Sequence, residues 1–390
     1  MAPFPYTSGM SSTAPPRPET PSTRLASLWQ RVSEGRRIDD LWSQLAADAR
    51  SSYGFYGKDL DWDEINKLPT WKRPFRIAWE LFQAMMYKLT PARRIILIVA
   101  IVLLLFSGFK FEFADHSAIE VRFELFSALL FLLLLSLELA DKIVMKRDLE
   151  IAREIQTWLV PSSPPSILNA EVAFYTRAQN SVAGDYYDAF YPIGDASSGG
   201  KLMLVMADVA GKSVPAALLM ATLQASLHTI ASEGLPLTEL ATRLNHYACA
   251  HSLGGQRFTT AVLAEYDPST RRLTYVNAGH NAPVVRRASA STERLESGGL
   301  PLGITPGAAF PSAETYLHPG DTLVLFTDGV VEAFDSAGHE FSDARWVNVI
   351  HGLPPMTAQQ TLQYLMKSVE DFVGATRQSD DITCLVLRSF

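Results

Sequence analysis

Apolar residues in the first part of the chain recur at helical spacing and then give way to two long apolar runs. From Leu25 onward they return every three or four positions, which predicts a helical region over residues 25–90. The residues before it, 1–24, are rich in Pro, Ser and Thr without any periodicity, so they predict a disordered tail. Residues 95–109 are then continuously apolar, and residues 125–140 form a second, shorter apolar run.

Together the two apolar runs predict a transmembrane helical hairpin over residues 91–140. The first run, extended past a snorkelling Lys110, approaches the roughly 20 residues that cross a bilayer as a helix. Basic residues flank the pair at Arg76, Lys88, Arg93, Arg94, Lys142, Lys146, Arg147 and Arg153, and acidic residues lie between the runs at Glu112, Asp115, Glu120 and Glu124. By the positive-inside rule, both ends of the hairpin then face the cytoplasm. A soluble hydrophobic hairpin is the alternative interpretation.

Residues 141–165 predict a helix that links the hairpin to the rest of the chain. Pro161 ends the helical pattern. The apolar residues in helical register are Ile143, Leu149, Ile151, Ile155 and Leu159. This spacing suits a homodimer formed through the linker helix, and it equally suits packing of the helix on its own domain.

The pattern changes after residue 166 to short strands separated by helical stretches. Apolar segments such as KLMLVMADV, RLTYVNAG and DITCLVLR are typical of strands, and helices are expected near residues 214–232, 236–250 and 358–373. Because the connections between strands are often short, the order of elements predicts an α+β domain with largely antiparallel sheets over residues 166–390.

Acidic residues occupy special places on these strands. The segments YYDAFYPI and KLMLVMADV are joined by the turn GDASSGG, so they should form a hairpin. Folding that hairpin about Ala196 and Ser197 sets Asp185 opposite Asp208. Cross-strand partners have Cβ atoms roughly 4.5–5.5 Å apart, so the two carboxylates would repel each other unless a cation lies between them. We therefore interpret Asp208, which closes an apolar strand, as a metal ligand.

The segment TLVLFTDG repeats this design at Asp328, followed by Gly329, which permits a close backbone approach. SDDITCLVLR starts a strand with Asp380 and Asp381, and in an antiparallel pair a strand start lies beside a strand end. Asp380 can therefore join Asp208 and Asp328 at one rim of a sheet. Carboxylate ligation suits Mg²⁺ or Mn²⁺ rather than Zn²⁺, and two such ions about 3.5–4 Å apart would clamp a phosphoryl group. One such Asp would be typical of an ordinary turn, but four at consistent strand ends predict a metal site.

Composition narrows the remaining classes of function. The 390 residues carry a net charge of −7, which argues against a nucleic-acid partner because phosphate backbones require a basic face. The first residues lack a charged start followed by an apolar run, so no cleavable secretory signal is expected. Cys249 and Cys384 have no metal-binding or redox spacing and are expected to be core thiols. The sequence shows no Gly-rich phosphate loop, which disfavours a metal-dependent hydrolase or cyclase acting on nucleotides.

Residues 150–390 resemble the PPM (type 2C) family of metal-dependent protein phosphatases, in the bacterial branch of stage II sporulation protein E and stress-response regulatory phosphatases. The matching segments, in the family's order, are AREIQTWLVP, AGDYYDAF, ADVAGKSVPAALLMA, TYVNAGHNAPVV, GLPLGI, LFTDGVVEA and SDDITCLVL. The resemblance implies an αββα sandwich with a dinuclear Mn²⁺ or Mg²⁺ centre at one edge. With the transmembrane hairpin it implies a multi-pass protein of the bacterial inner (cytoplasmic) membrane with its catalytic domain in the cytoplasm.

The resemblance also implies the reaction and assigns residues to it by position. Phosphoserine or phosphothreonine is hydrolysed by direct attack of metal-activated water, and the substrate in this branch is often a small anti-anti-sigma factor of the STAS type. The catalytic carboxylates are Asp185, Asp208, Asp328 and Asp380. Asp185 and Asp208 are expected to hold one ion, and Asp208, Asp328 and Asp380 are expected to hold the other. The Val209 carbonyl is expected to assist, and Asp381 to support the ligands from a second shell. Ala183 and Ser213 stand where the family often has Gly.

Two further residues are candidate substrate-binding groups. His280, in NAGHNAP, follows a strand and could bind substrate or donate a proton to the leaving group, although a turn-stabilising histidine is more frequent. Lys212, near the expected metals, could attract phosphate or remain solvated. The competing non-enzymatic hypothesis is a catalytically silent pseudophosphatase that binds a phosphoprotein. Loss of a ligand carboxylate would favour it, and this sequence retains all four.

Overall fold

The computed structural model describes residues 71–106, 110–112, 118–120, 123–197, 199–251, 257–296 and 298–390, together with Ile65 and Pro69. The chain divides into two compact units, Met1–Ala140 and Asp141–Phe390. The predicted disordered tail and most of the predicted helical region before residue 71 lie outside the described residues.

The first unit contains helices joined through a short antiparallel pair of strands. Its described elements, in chain order, are α1 (Arg73–Lys88), α2 (Pro91–Leu105), β1 (Lys110–Glu112), β2 (Ala118–Glu120) and the first part of α3 (Glu124–Leu159). An ion pair of 2.9 Å joins Arg93 to Glu138, and the Ser127 hydroxyl donates a hydrogen bond of 2.8 Å to the Ala100 carbonyl. These contacts hold α2 beside α3.

The linker helix is not a separate element. Helix α3 runs without interruption from the second apolar run to Leu159, so the helical part of the predicted linker over residues 141–165 is its continuation. The helix ends before Pro161, as predicted, because proline has no N–H to donate and the residue before it avoids helical geometry.

The second unit is built on two antiparallel sheets of five strands each. Its strands are β3 (Ala170–Arg177), β4 (Tyr186–Phe190), β5 (Leu202–Val209), β6 (Thr259–Asp267), β7 (Arg272–Ala278), β8 (Val284–Arg286), β9 (Thr292–Arg294), β10 (Ser312–Tyr316), β11 (Thr322–Phe326) and β12 (Ile382–Ser389). The first sheet has the order β10-β7-β6-β5-β4 and the second has the order β3-β12-β11-β8-β9. Its helices are α4 (Val214–Ala231), α5 (Leu237–Ala250), α6 (Asp328–Val331), α7 (Asp343–His351) and α8 (Ala358–Val373).

Three apolar clusters define four layers in this unit. One cluster fills the space between the sheets and includes Leu204 and Leu385. A second joins the outer face of the first sheet to α4 and α5, with Met220 as a buried member, and a third joins the outer face of the second sheet to α7 and α8 around Trp346. The expected αββα sandwich and the α+β class are therefore confirmed. The three helices predicted at residues 214–232, 236–250 and 358–373 are α4, α5 and α8.

Within the described residues, one helix is long and apolar enough to cross a membrane by length and composition, and it is α4. Four of its residues are buried in the cluster beneath the first sheet, so it serves as a core helix of the second unit. Helix α2 of the predicted transmembrane hairpin has 15 residues. The hairpin over residues 91–140 therefore stays a prediction.

Candidate metal centre

Side chains that point between the two sheets change from apolar to polar at one common level. In a strand, residues two apart share a face, and the apolar inter-sheet cluster includes Tyr187, Met206, Val262, Leu325 and Leu385. Two positions away, towards one common end of the sheets, the same strands carry in the same order Asp185, Asp208, Thr260, Thr327 and Thr383. Thr176 on β3 pairs with Thr383 and so lies at the same level, and Asp381 lies two residues beyond Thr383, just before β12. We call this set of seven residues the polar layer.

The register of the β4–β5 hairpin confirms the first sequence argument. Tyr186 pairs with Ala207 and Phe190 pairs with Met203, so the hairpin folds about Ala196 and Ser197 as predicted. Continuing the same register by one residue sets Asp185 beside Asp208. Both carboxylates therefore belong to the end of the first sheet that carries the polar layer.

Asp185 is held by hydroxyl groups from the opposite sheet. Its Oδ2 accepts hydrogen bonds of 2.8 Å from Thr327 Oγ1 and 2.5 Å from Thr383 Oγ1, and the residue is only 5% exposed. Because Thr383 uses its proton on Asp185, Thr176 must donate in the 3.0 Å contact between the two threonine hydroxyls. Among the described residues, no hydrogen-bond donor reaches Asp185 Oδ1. One oxygen is thus fixed and the other is presented.

The loop before Asp185 is fixed from two directions. The Asp381 carboxylate accepts hydrogen bonds of 2.7 Å from the backbone N–H groups of both Gln179 and Gly184. From α3, the Gln156 side chain donates to the Ala183 carbonyl at 2.7 Å and accepts from the Ala183 N–H at 2.9 Å. Asp381 therefore fixes the backbone on the way to Asp185, and the end of the linker helix is bonded directly to the backbone next to a candidate ligand.

Asp328 and Asp380 come to the same end from the second sheet. Phe326 pairs with Cys384 in the antiparallel β11–β12 ladder, so the end of β11 lies beside the start of β12 as predicted. A Cβ on Gly329 would overlap the carbonyl oxygen of Asp381, so the close backbone approach requires glycine at this position.

Burial and mutual repulsion raise the pKa values of these carboxyl groups. Burial, then the charges of Asp328 and Asp380, raise the pKa of Asp208 to about 7. Burial, then the charge of Asp208, raise the pKa of Asp185 well above its usual value, and burial, then Asp380, raise that of Asp328. The cluster therefore concentrates negative charge that a cation would stabilise.

Lys212 and Val209 complete the rim. Lys212 Nζ lies 2.9 Å from Asp380 Oδ2 and 3.0 Å from the Ser379 carbonyl. Its charge lowers the pKa values of Asp208 and Asp328, which partly offsets the repulsion. A Cβ on Gly184 would lie 3.3 Å from the Val209 carbonyl oxygen and 3.7 Å from Asp208 Oδ1, which shows how closely that carbonyl approaches the loop before Asp185.

His280 does not lie where a substrate would meet it. The residue is 6% exposed, and its two ring nitrogens contact Thr260 Oγ1 and the Phe326 carbonyl oxygen. The prediction that His280 binds substrate or donates a proton to the leaving group is therefore corrected, because both ring nitrogens are occupied by contacts within the protein. The turn-stabilising alternative is closer to the observed arrangement.

The donor set suits a hard divalent cation, although the side chains do not form a closed cage. In the part of the chain that the structure describes, no three Asp, Glu, His or Cys side chains are grouped as a ready metal-binding set. The cluster supplies carboxylate oxygens, a backbone carbonyl nearby and a free Oδ1 on Asp185, which are ligands that Mg²⁺ and Mn²⁺ accept.

The comparisons with known proteins identify the domain. Residues 198–390 match the family model described as Stage II sporulation protein E (SpoIIE). Residues 198–390 form a SpoIIE-type domain. The chain is 27% identical over 248 residues to the phosphoserine phosphatase RsbU of Bacillus subtilis, covering 62% of this chain and 70% of RsbU. It is 25% identical over 271 residues to Protein IcfG of Synechocystis sp., of which the match covers 42%.

Solved structures share the fold of this SpoIIE-type domain. The SiaA-PP2C domain of Pseudomonas aeruginosa superimposes with a TM-score of 0.55 at 19% identity, covering 64% of this chain and 99% of that one. The PP2C phosphatase domain of SpoIIE from Bacillus subtilis, with a fragment of its regulatory domain, gives a TM-score of 0.50 at 19% identity, covering 56% and 61% of the two chains. Both confirm the PP2C-like sandwich.

Sequence reasoning missed several residues of the site. The three threonines of the second sheet and Gln156 were not predicted, because a threonine in a strand and a glutamine on a helix carry no signal of their own. The change from apolar to polar at one level of six strands, β3–β6, β11 and β12, is the signal that could have found the threonines.

Proposed function

We propose that the chain is a membrane-anchored protein serine/threonine phosphatase that hydrolyses phosphoserine or phosphothreonine on a regulatory protein. The observation that carries this proposal is the cluster of one buried and two half-buried carboxylates, Asp185, Asp208 and Asp328, with raised pKa values at one end of a SpoIIE-type sandwich. A group of acidic side chains in this state has no structural benefit without a cation, whereas a metal-dependent hydrolase requires it.

Each residue of the site has a proposed role. Asp185 and Asp208 would hold one Mn²⁺ or Mg²⁺ ion. Asp208, Asp328 and Asp380 would hold a second ion, and the Val209 carbonyl would assist. When bound, such ions polarise a phosphoryl oxygen and activate a water for attack. Lys212, on the rim beside Asp380, is placed to attract the dianionic phosphate. Asp381 and Gln156 keep the backbone of the Asp185 loop in place.

The relatives support the proposed substrate class. RsbU bears the name phosphoserine phosphatase, and its match extends over 248 residues. We extend that activity to this chain and propose, as its substrate, the phosphorylated form of a regulatory protein such as a STAS-type anti-anti-sigma factor. No nucleic acid is expected at the acidic rim, because its phosphates would meet the same sign of charge.

The membrane anchor is supported by the surface of the first unit. Helices α2 and α3 expose large apolar side chains, among them Leu105 at 75% and Leu125 at 72%. Their polar contacts, Arg93 with Glu138 and Ser127 with Ala100, join the two helices to each other rather than to solvent. An outward-facing apolar surface on a helical hairpin is the arrangement that a bilayer stabilises. Resistance of the full-length chain to carbonate extraction from membranes tests the anchor, and release of the chain into the soluble fraction would contradict it.

A homodimer through the linker part of α3 is proposed from a second exposed stripe. Val144, Ile151, Ile155 and Trp158 are all exposed, Trp158 by 80%, and their spacings of seven, four and three residues match a coiled-coil seam. A second copy of the chain would cover this stripe. Sedimentation of the detergent-solubilised chain should show a dimer that Ile151→Glu disrupts, and a monomer for the unmodified chain would contradict the proposal.

Phosphate release tests the proposed reaction. The full-length chain with Mn²⁺ should release phosphate from a phosphoserine protein, EDTA should abolish the release, and Asp328→Asn should abolish it without unfolding the protein. Asp371→Asn, an exposed aspartate on α8, serves as the matched control and should remain active. If the folded chain binds Mn²⁺ and phosphoprotein but releases no phosphate, the pseudophosphatase alternative is correct.

A further inference from the structure

The NAGHNAP motif builds a tight turn that delivers one side chain into the interior. The Asn277 side chain accepts a 2.8 Å hydrogen bond from the His280 N–H and donates a 3.0 Å hydrogen bond to the His280 carbonyl, which closes a ring over the turn. Gly279 has a φ of 70°, and a Cβ there would lie 2.7 Å from the ring of Pro301. Asn277 and Gly279 are thus required by the path of the backbone, and the turn directs His280 inward.

The His280 ring bridges the two sheets. Its Nε2 lies 3.1 Å from the Phe326 carbonyl oxygen on β11, and its Nδ1 lies 2.8 Å from Thr260 Oγ1 on β6. A carbonyl oxygen can only accept, so Nε2 carries the proton and Nδ1 accepts from the Thr260 hydroxyl. Burial lowers the pKa of His280 to about 4, which keeps this neutral tautomer at physiological pH.

Both ends of this bridge lie next to candidate metal ligands. Thr260 is the direct cross-strand partner of Asp208 in the β5–β6 ladder. Phe326 lies two residues before Asp328, at the end of β11. The imidazole therefore connects the strand pair that carries one carboxylate with the strand that leads to the other.

Asp208 at the end of β5 and Asp328 directly after β11 carry like charges on opposite sheets, and their repulsion favours a wider gap between the sheets at this level. The apolar cluster below resists that widening only through packing, which has no directional preference. Two hydrogen bonds to one rigid ring are directional, and they span the sheets at the level of Asp208, whose cross-strand partner Thr260 makes one of them.

We propose that His280 is a positioning residue that fixes the distance between the two sheets at the polar layer, and thereby sets the metal affinity of the carboxylates that the sheets carry. It transfers no proton. The inference rests on the proposed function, since it concerns how the same site is held ready for metal.

The test compares four variants of the full-length chain: His280→Ala, Thr260→Val, the double variant and Thr260→Ser. Calorimetry measures the Mn²⁺ dissociation constant, and phosphate release at saturating Mn²⁺ gives kcat and KM. We expect His280→Ala and Thr260→Val each to weaken Mn²⁺ binding roughly 10- to 100-fold, the range seen when the partner of a metal ligand is removed. The double variant should bind Mn²⁺ no more weakly than His280→Ala does, because both changes break the same hydrogen bond between Thr260 and His280. Thr260→Ser keeps the hydroxyl and should bind Mn²⁺ like the unmodified chain.

Saturating Mn²⁺ separates positioning from proton transfer. A positioning residue predicts that kcat recovers to within about threefold at saturating Mn²⁺, with KM unchanged, because no catalytic group has been lost. A kcat that stays low in His280→Ala while Mn²⁺ affinity is unchanged would overturn the inference, as would Thr260→Val binding Mn²⁺ as tightly as Thr260→Ser. If His280→Ala fails to fold, the two Thr260 variants decide alone. If the unmodified folded chain binds no Mn²⁺, the proposed function fails and the inference falls with it.

Discussion

Replacing Asp208 with Asn should stabilise the metal-free protein while abolishing its response to metal. Asp208 is the carboxylate that faces all the others: its pKa is raised to about 7 by burial and then by the charges of Asp328 and Asp380. Asparagine has nearly the same shape and no charge. The substitution therefore removes the repulsion without opening a cavity.

The magnitude follows from the pKa. A carboxyl group whose pKa is 3.8 when unfolded and about 7 when folded destabilises the ionised folded state by at most about 4 kcal/mol. Some of this is relieved by movement of the side chains and by Lys212, so we expect a gain of about 1–3 kcal/mol in Asp208→Asn at pH 8. For a unit of this size, that corresponds to a rise in Tm of roughly 3–10 °C.

The direction of the pKa shift of Asp208 determines the pH range in which Asp208→Asn stabilises the protein. Because the folded-state pKa is the higher one, the penalty is absent below the unfolded value of 3.8, grows as the pH rises, and is complete above about 7. The difference in Tm between Asp208→Asn and the unmodified chain should therefore be large at pH 8 and vanish near pH 4.

Thermal unfolding of the full-length chain in EDTA and in excess MnCl₂ measures both halves of the prediction. The unmodified chain should gain stability with Mn²⁺, because a ligand that binds only the folded state stabilises it, and Asp208→Asn should not. Asp371→Asn, on the exposed face of α8, is the control and should change neither curve. An Asp208→Asn variant that is less stable in EDTA at pH 8 would refute the reasoning, because it would show that the carboxylate is favourably placed without a cation.

Three further changes test the surroundings of the site. Thr383→Val removes one of the two hydroxyl donors to a buried carboxylate and should lower the free energy of unfolding in Mn²⁺ by about 1–3 kcal/mol; an unchanged Tm would show that the hydroxyl network does not hold Asp185. Gln156→Ala removes both bonds from the linker helix to the loop before Asp185 and should reduce phosphate release at limiting Mn²⁺, whereas Thr157→Ala, whose hydroxyl bonds only within its own helix, should not. Equal phosphate release by Gln156→Ala and Thr157→Ala would show that the two hydrogen bonds from the linker helix do not affect the site. Ser213, at φ 64° and ψ −146°, has a backbone conformation suited to glycine, so Ser213→Gly should raise the free energy of unfolding by about 1 kcal/mol in denaturant titrations, and a decrease would contradict this account.

The arrangement of the carboxylates could be predicted to a large extent from the sequence. The connection between β4 and β5 contains a turn rich in Gly and Ser, and folding the chain about the midpoint of that turn predicted the register that sets Asp185 beside Asp208. The ends of β11 and β12 followed from antiparallel pairing, since a strand that stops on an acidic residue lies beside one that starts on two. Such local features predict which residues lie opposite each other on neighbouring antiparallel strands, because this register depends only on where the turns are.

Contacts between the sheets could not be predicted in the same way. The partners of His280 are 20 and 46 residues away and belong to different sheets, so nothing near the motif indicates them. The threonines that hold Asp185 come from strands more than 140 residues further along the chain. Which layer a residue reaches depends on how the two sheets stack, and this is decided by packing over the whole domain.

Helix α3 shows a second limit of the sequence pattern. Its apolar stripe indicated a linker and a dimer seam, but the residue that bonds the loop before Asp185 is the polar Gln156. The periodicity of a helix predicts which of its apolar residues are on one face. It does not predict that a single polar side chain will form hydrogen bonds with the backbone of another element.

Mn²⁺ binding to the EDTA-treated full-length chain, followed by isothermal titration calorimetry in buffers of different ionisation enthalpy, tests the central claim most directly. The account predicts saturable binding of two ions that is lost in Asp208→Asn. At pH 6 binding should release protons, because Asp208, with a pKa of about 7, must lose its proton to become a ligand. A folded chain that shows no saturable binding, or that binds Mn²⁺ equally well without the Asp208 carboxylate, would contradict the assignment of this cluster as a metal centre.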